Sequence, residues 1–363
     1  MFEPIYTSTA ETLGALDEIE RLRFRIERFL IMPKHEAWLK REAALRSAYY
    51  STMIENPSIQ EDEVDSALQA VPVEGPVSTR LDVANVESAL LWIDFVSDDS
   101  DVPIDERLVR NINWLVMKGL AGVRNPGVYR TEPNWIEDKG LKLYDPPFHG
   151  DVPDLMHQFS QWLSSDSDTH PLVRAAISHI WLVAIHPFVD GNGRTARLLS
   201  TLVLQRYGFG FRKLLSLDAY YARNRDAYID GLQKTLGQRF RGDADLTPWI
   251  DFFCLSILTQ TYGVERTLTD WRIMMDEAHR DFQPLGLNER QIDGLLYALR
   301  TGRITRKDYI EITGVSPLTA SRDLAYLVSK ALLAAVGHGR SRRFIRVSQP
   351  KERAPEEEQQ RLI

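Results

Sequence analysis

One short run of the sequence, His-Pro-Phe-Val-Asp-Gly-Asn-Gly-Arg-Thr-Ala-Arg at residues 186–197, concentrates residue types that can do chemistry. Apolar helical patterns precede and follow it, so the run is predicted to be a loop that enters a helix. Gly191 and Gly193 leave backbone N–H groups accessible to an anion, and the start of the helix near Asn192 adds the positive end of its dipole. The run therefore predicts a phosphate-binding loop.

Charged side chains flank this predicted loop. Arg194 and Arg197 are three residues apart, so they share one helical face, and each guanidinium can hold phosphate oxygens, with the outer phosphates as expected targets. Asp190 offers a hard carboxylate oxygen of the kind that Mg²⁺ binds when it bridges two phosphates. His186, held by Pro187, is the nearby group whose ordinary pKa suits proton abstraction at neutral pH.

Each of these features has an ordinary structural alternative. A Gly-rich turn before a helix is usually only a turn, and a single His before Pro carries little weight. Their clustering in one run favours a nucleotide site, because one nucleotide can satisfy the whole set. No Gly-Lys-Ser/Thr follows the glycines, so the run is not a P-loop, and a helix rather than a strand precedes it, which excludes the dinucleotide fingerprint.

The run resembles the signature His-Pro-Phe-x-Asp/Glu-Gly-Asn-Gly-Arg-x-x-Arg of the Fic family at every fixed position. The resemblance extends roughly from Asp82 to Gln260, and the pattern Pro126-Gly127-x-Tyr129-Arg130 followed by a hairpin looks like the family's flap. It implies a mainly α fold: an all-helical Fic core with a β-hairpin flap. It also implies a protein adenylyltransferase, which uses ATP and Mg²⁺ to transfer AMP to a Ser, Thr or Tyr hydroxyl of a target protein.

The resemblance further implies roles for single residues. His186 would be the catalytic base and Asp190 the Mg²⁺ ligand. The expected nucleotide-binding residues are Gly191, Asn192, Gly193, Arg194, Thr195, Ala196, Arg197 and Tyr228. Among these, Asn192 and the two glycine amides would hold the α-phosphate, and the two arginines would address the β- and γ-phosphates. Tyr228 falls where the family often has an aromatic residue that contacts the nucleoside; a core tyrosine is the alternative.

A second motif, Ser51-Thr52-Met53-Ile54-Glu55-Asn56, lies upstream. It matches the Ser/Thr-x-x-x-Glu-Gly/Asn inhibitory motif of Fic proteins that carry their inhibitor N-terminal to the core. By this likeness Ser51 and Glu55 are inhibitory residues, and Glu55 is expected to pair with Arg197 and withdraw it from the γ-phosphate. The alternative is a solvated carboxylate at the end of a helix.

The elements that must position these residues are mostly helical. Apolar periodicity predicts helices at 13–29, 37–54, 83–95, 106–120, 152–163, 172–185, 192–207 and 246–278. A hairpin is predicted around Asp138-Lys139-Gly140, and the flap at Thr131 to Tyr144 would bind the target protein by strand addition. The predicted domains are an N-terminal helical region (1–75), the Fic core (76–280), a winged helix-turn-helix (281–350) and a disordered tail (351–363).

The last of the folded segments is basic within an acidic chain. Residues 287–353 contain 13 Lys or Arg and 6 Asp or Glu, whereas the whole chain carries a formal net charge of -7. Helical patterns at 306–312 and 317–330 and a hairpin around Gly337-His338-Gly339 resemble a winged helix-turn-helix. The wing would present Arg340, Arg342, Arg343 and Arg346. DNA binding through phosphate contacts and a protein–protein or dimerisation contact are both open.

Composition sets the remaining limits. With 44% hydrophobic residues, the chain has enough apolar material for two or three packed domains. The single cysteine, Cys254, allows no internal disulfide, and no signal peptide or membrane span is evident, so a cytoplasmic protein is expected. A homodimer is compatible with the resemblance. Two other functions remain open: a Fic enzyme that removes AMP or transfers another phosphate-containing group, and a nucleotide-sensing DNA-binding regulator.

Overall fold

The computed structural model describes residues 2–56, 77–123, 125–138, 140–165, 168–339 and 342–347. The predicted loop at 71–76, the predicted tail at 351–363 and Arg340 lie outside the described residues, as does the side chain of Arg346. The chain divides into two compact units, Met1–Ile273 and Met274–Ile363. The fold is mainly α, as the sequence predicts.

The first unit is built almost entirely of helices. They are α1 Ala10–Glu27, α2 Pro33–Glu55, α3 Val77–Ser97, α4 Glu106–Met117, α5 Val152–Ser164, α6 Pro171–Ile185, α7 Asn192–Arg206, α8 Leu217–Arg223, α9 Arg225–Leu236 and α10 Thr247–Phe282. The division between the two units falls within α10. None of the helices in the described part of the chain is long and apolar enough to cross a membrane.

The core of this unit is organised around α6. Every residue of α6 from Leu172 to Ile185 is buried, because the helix is apolar nearly all the way round and has neighbours on all sides. Pro171 stands in its first turn, where the missing N–H costs nothing. Helix α7 packs along α6 and also contacts α3 and α4. The loop between α6 and α7 therefore starts and ends on fixed helices.

Helix α2 brings the N-terminal region to this core. It packs against α3 and α8, and part of that contact is polar: Ser47 Oγ donates to Ser216 Oγ at 2.7 Å. Both helices predicted in the N-terminal region are present, as α1 and α2. The last turn of α2 ends at Glu55, where it reaches α7.

The predicted hairpin is formed by β1 (Ile136–Asp138) and β2 (Leu141–Tyr144), which pair antiparallel with an irregularity after Ile136. Arg225 at the start of α9 makes two hydrogen bonds to the Asp138 carboxylate, at 2.7 and 3.1 Å. Tyr144 Oη donates to the Ala184 carbonyl of α6 at 3.0 Å. The hairpin is thus tied to the start of α9 and to the end of α6.

The second unit contains three helices and a small sheet after the end of α10. The elements are α11 Glu289–Thr301, β3 Arg303–Ile304, α12 Arg306–Thr313, α13 Pro317–Ser329, β4 Leu333–Val336 and β5 Arg343–Arg346, with strand order β3-β5-β4 and antiparallel pairing. The buried Asp323 carboxylate accepts from Arg290 Nε at 2.6 Å and Tyr309 Oη at 3.0 Å. The predicted order of helix, turn, helix and hairpin is present, while its winged-helix assignment stays a prediction.

Candidate active site

The candidate site begins where α6 ends. His186 adopts the left-handed conformation, with φ 49° and ψ 57°, which costs a non-glycine residue about 1 kcal/mol or more. Arg130 holds this turn: its Nε donates to the His186 carbonyl at 2.9 Å and its Nη2 to the Pro147 carbonyl at 2.6 Å. The Arg130 N–H also bonds to the Pro187 carbonyl at 2.9 Å. One buried arginine therefore fixes the direction in which the chain leaves α6.

The imidazole of His186 lines a cavity together with Gly193 and Arg197. The rest of the cavity is formed mainly by the end of α2, the hairpin and α9 and includes Ile54, Glu55, Ile136, Leu143, Tyr228, Ile229 and Leu232. Burial lowers the pKa of His186 to about 4. The ring is therefore neutral at pH 7, which is the form that accepts a proton.

The loop after His186 is closed by the Asn192 side chain. Its Oδ1 accepts from the Phe188 N–H and its Nδ2 donates to the Phe188 carbonyl, both at 2.9 Å. Gly191 has φ +77°, and a Cβ there would lie 2.5 Å from Met117 Sδ. Only glycine fits this position without displacing its neighbours.

A second contact holds the loop from the side of α4. Asn113 Nδ2 donates to the Asp190 carbonyl at 3.0 Å, and Asn113 Oδ1 accepts from the Gly127 N–H at 2.8 Å. Thr195 Oγ1 donates to the Gly191 carbonyl at 2.7 Å. These contacts fix the path of the loop between α6 and α7.

Four of the predicted nucleotide-binding side chains do not line the cavity: Asn192, Arg194, Thr195 and Ala196. The Asn192 side-chain amide makes both of its hydrogen bonds to the Phe188 backbone, the Thr195 hydroxyl donates to the Gly191 carbonyl, and Ala196 is wholly buried. The Thr195 N–H is also used, because it bonds to the Gly191 carbonyl at 2.9 Å. These side chains shape the loop and the core. The backbone N–H groups in the first turn of a helix have no hydrogen-bond partner within the helix. At the start of α7 these are the amides of residues 192–194, which can bind an anion.

Both predicted phosphate-binding arginines are buried and paired. Arg194 Nη1 lies 2.5 Å from Asp82 Oδ1 of α3, and Arg194 Nη2 lies 3.6 Å from Asp190 Oδ1. Arg197 Nε lies 2.7 Å from Asp218 Oδ1 of α8. Each arginine therefore has a carboxylate partner, from α3 or α8, that the sequence analysis did not assign to the site.

The ion pair between Glu55 and Arg197, expected from the upstream motif, is present. Glu55 Oε1 lies 3.0 Å from Arg197 Nη2. The same nitrogen donates to the Ser51 carbonyl at 3.1 Å and to Ser51 Oγ at 3.0 Å. Burial alone would raise the pKa of Glu55, but the charges of Arg197 and Arg194 and the hydrogen bond from Arg197 together outweigh it and lower that pKa, so the carboxylate is ionised.

Glu55 also stands directly in front of the loop. A Cβ at Gly193 would lie 2.6 Å from Glu55 Oε1 and 3.2 Å from Arg197 Nη1. A side chain at Gly193 would therefore displace the carboxylate. Glu55 places a negative group at the start of α7, against the guanidinium of Arg197, which is where an anionic ligand of the loop would lie.

Tyr228 has the contacts of a core residue together with one face on the cavity. Its ring stacks on Tyr221 with centroids 4.5 Å apart, and its hydroxyl lies 3.1 Å from His179 Nε2. Only 3% of Tyr228 is exposed, yet it contributes to the cavity wall. The two alternatives named for this residue are therefore compatible.

Asp190 is the exposed carboxylate of the loop. Its side chain is 58% exposed, and Oδ1 accepts from the Gly191 N–H at 2.5 Å. Among the described residues there is no group of three or more His, Cys, Asp or Glu side chains that could hold a metal ion. A Mg²⁺ ion here would take one ligand from Asp190 and the others from phosphate oxygens and water, which is how Mg²⁺ is commonly held beside nucleotides.

Four residues that build the site received no role in the sequence analysis: Asp82, Asn113, Arg130 and Asp218. Arg130 stood in the flap pattern without an assigned contact. Asn113 and Asp218 are polar residues within buried helical faces, and that position is the one sequence signal of their importance.

Comparison with known proteins finds a family and relatives that match the segment containing this site. Residues 103–204 match the Fic/DOC family. The chain is 30% identical over 210 residues to Protein adenylyltransferase Fic of Drosophila virilis, a match covering 55% of this chain and 42% of that protein. It is 30% identical over 205 residues to the protein of the same name from Nematostella vectensis, covering 53% of this chain and 45% of that protein. The chain spans less than half the length of these curated relatives.

Solved structures show the same fold. The crystal structure of a Fic family protein from Desulfovibrio desulfuricans matches with a TM-score of 0.64 at 22% identity, over 96% of this chain and 100% of that one. Fic-1 from C. elegans matches with a TM-score of 0.56 at 21% identity, over 72% of this chain and 74% of that one. The chain therefore shares the fold of these Fic-family structures.

Proposed function

We propose that this chain is a protein adenylyltransferase, which transfers AMP from Mg-ATP to a hydroxyl of a target protein and is inhibited by its own Glu55. The observation that carries the proposal is that His186, whose ring is neutral at pH 7, Gly193 at the start of α7 and Arg197 line one cavity. A base, an anion cradle and a cation are the parts that nucleotidyl transfer requires. The names of the curated relatives support the same activity.

The reaction follows from this arrangement. The target hydroxyl attacks the α-phosphorus of ATP, the bond from that phosphorus to the bridging oxygen breaks, and pyrophosphate leaves. His186 accepts the hydroxyl proton, so a new phosphate ester and a protonated imidazole are formed. The first-turn amides of α7 donate to the phosphate oxygens and stabilise the charge that develops there.

The cations and the metal act on the outer phosphates. Arg194 and Arg197 are three residues apart near the start of α7 and would donate to the β- and γ-phosphates. Asp190 would hold a Mg²⁺ ion, which would supply positive charge beside the phosphates. Asp190 is suited to this because its carboxylate is largely exposed at the edge of the loop.

Inhibition follows from the position of Glu55. Its carboxylate occupies the Nη2 edge of Arg197 and stands in front of Gly193. A γ-phosphate would meet a like charge there, so ATP would bind in a pose unsuited to in-line attack. Transfer would be lost while binding of the nucleotide survives.

Access for the target protein would lie along the hairpin. An extended target segment would pair with β1 or β2 through main-chain hydrogen bonds, which select for shape more than for sequence. The hairpin is rigid enough for this, since Arg225 and Tyr144 hold it from two sides.

Intact-mass analysis tests the proposal. Glu55→Gly protein is incubated with Mg²⁺ and ATP, GTP, CTP or UTP in separate reactions, and radiolabelled ATP is added to a cell extract containing the same variant. The expected result is a gain of one AMP on the chain or on an extract protein with ATP, and none with His186→Ala in the same background. No nucleotide gain on the chain with any of the four donors, together with no labelled extract protein with ATP, would refute the proposed activity.

A further inference from the structure

Arg197 is the centre of a buried cluster with two carboxylates. Asp218 Oδ1 lies 2.7 Å from its Nε, and Glu55 Oε1 lies 3.0 Å from its Nη2. The Arg197 side chain is 2% exposed. With Glu55 in place this cluster carries two negative charges and one positive charge; without it, one of each.

The two carboxylates have different surroundings. Glu55 stands on the last turn of α2, and its side chain is 37% exposed beside the cavity. Asp218 is the second residue of α8, its side chain is 7% exposed, and the helix is capped by Ser216, whose side chain accepts from the Ala219 N–H. Glu55 can therefore leave the cluster without unfolding the core, whereas Asp218 cannot.

We propose that Asp218 is a positioning residue: it holds the Nε edge of Arg197 so that the two Nη nitrogens face the loop at Gly193, whether or not Glu55 is bound. The proposal rests on the function proposed above. It adds a residue to that site which lies outside the matched family segment, residues 103–204. Asp218 would not touch the nucleotide, and it would act through Arg197.

The geometry gives the reason for this role. An arginine side chain has several rotatable bonds, and a buried guanidinium without a counter-ion is strongly disfavoured. When Glu55 withdraws, Asp218 keeps one charge partner on the side of Nε. The orientation that remains places Nη1 near Gly193, since a Cβ at Gly193 would lie 3.2 Å from that nitrogen.

Removal of Asp218 should separate binding from transfer. The negative charge of Asp218 repels a bound polyphosphate, and it repels ATP more strongly than AMP. Loss of that charge should therefore strengthen the binding of ATP more than the binding of AMP. Loss of the Asp218 hydrogen bond leaves Ser51 as the hydrogen-bond partner of the guanidinium and removes its charged partner on the Nε side. The guanidinium can then shift, and a misplacement of about 1 Å can lower a rate by about 100-fold. A carboxylate that served only to stabilise the fold would not change affinity and turnover in opposite directions.

The test uses the full chain with Glu55→Gly, alone and combined with Asp218→Ala or Asp218→Asn. Calorimetry gives the Kd of ATP and of AMP, and labelling gives kcat and KM for transfer. Asp94→Ala is the structural control. Asp94 lies on α3, and its partly buried carboxylate accepts a hydrogen bond from Gln205 Nε2 at 2.8 Å.

We expect Asp218→Ala to lower kcat by about 10- to 100-fold and to raise the ratio of the AMP Kd to the ATP Kd. Asp218→Asn keeps an oxygen for Nε and removes the charge, so it should raise the same ratio and retain most of kcat. Asp94→Ala should change neither quantity. Transfer that is insensitive to Asp218→Ala, or a kcat that Asp218→Asn fails to restore, would overturn the proposal.

The proposed function and this inference can fail separately. If no variant transfers a nucleotide but the ratio of the two Kd values rises in both Asp218 variants, the proposed activity is wrong and the electrostatic link between Asp218 and Arg197 stands. If transfer is present and the ratio is the same in all variants, the activity stands and the role of Asp218 is wrong.

Discussion

Replacement of Glu55 by glycine is the perturbation with the largest expected effect on transfer. The side chain removed is a carboxylate 3.0 Å from Arg197 Nη2, directly in front of Gly193. Without it, the guanidinium and the start of α7 both face the cavity. We expect AMP transfer to rise, although the protein loses an ion pair and becomes slightly less stable.

The magnitude follows from the contact. A charge-assisted hydrogen bond contributes about 1.5–3 kcal/mol, and the 37% exposure of Glu55 places this one in the lower part of that range because water screens it. Since about 1.4 kcal/mol corresponds to a tenfold change in rate, transfer should rise about 10- to 30-fold. Glu55→Gln keeps the shape and loses the charge, so it should give a smaller rise.

The assay is incorporation of label from radiolabelled ATP with Mg²⁺, together with a thermal melt of each variant. Glu36→Gln serves as the control, because Glu36 also stands on α2 and pairs with Arg212 at 2.8 Å. It should lower stability without changing transfer. Equal labelling by wild type and Glu55→Gly, or an equal rise in Glu36→Gln, would refute the reasoning.

Three further predictions concern the loop. His186→Ala in the Glu55→Gly background should abolish transfer and leave the ATP Kd from calorimetry nearly unchanged, because the imidazole moves a proton and does not hold the nucleotide; retained labelling would contradict the assigned base. Burial lowers the pKa of His186 to about 4, so the base stays unprotonated as pH falls from 8 to 6 and kcat/KM should be flat over that range. Loss of Glu55, whose charge raises the pKa of His186, should lower that pKa further. A midpoint near 6.5 in the pH profile would contradict the buried position of the imidazole. Gly191→Ala should lower the free energy of unfolding by about 1–3 kcal/mol in urea, more than Gly122→Ala, which also has positive φ (+84°) but meets no atom within 4 Å; equal losses would assign the effect to backbone strain alone.

Much of the fold follows from local sequence signals. The helical periodicity on either side of residues 186–197 corresponds to α6 and α7, and Pro171 and Asn192 stand at their starts. The hairpin around Gly140 is also where the turn residues place it. These features depend on residues near one another in the chain, which is why the sequence alone is sufficient to predict them.

The partners of the site residues depend on tertiary packing. Arg194 and Arg197 were expected to face phosphates, and the spacing does place them on one helix face. That spacing contains no information about Asp82 or Asp218, which arrive from α3 and α8, 112 and 21 residues away along the chain. The left-handed turn at His186 is likewise set by Arg130, 56 residues upstream.

A crystal structure of the Glu55→Gly protein with Mg²⁺ and a non-hydrolysable ATP analogue tests the central claim most directly. The account predicts α-phosphate oxygens within about 2.7–3.2 Å of the amide nitrogens of residues 192–194, outer phosphate oxygens on Arg197, and the His186 imidazole on the side of the α-phosphorus opposite pyrophosphate. A triphosphate bound away from the start of α7, or an imidazole turned away from the α-phosphorus, would contradict it.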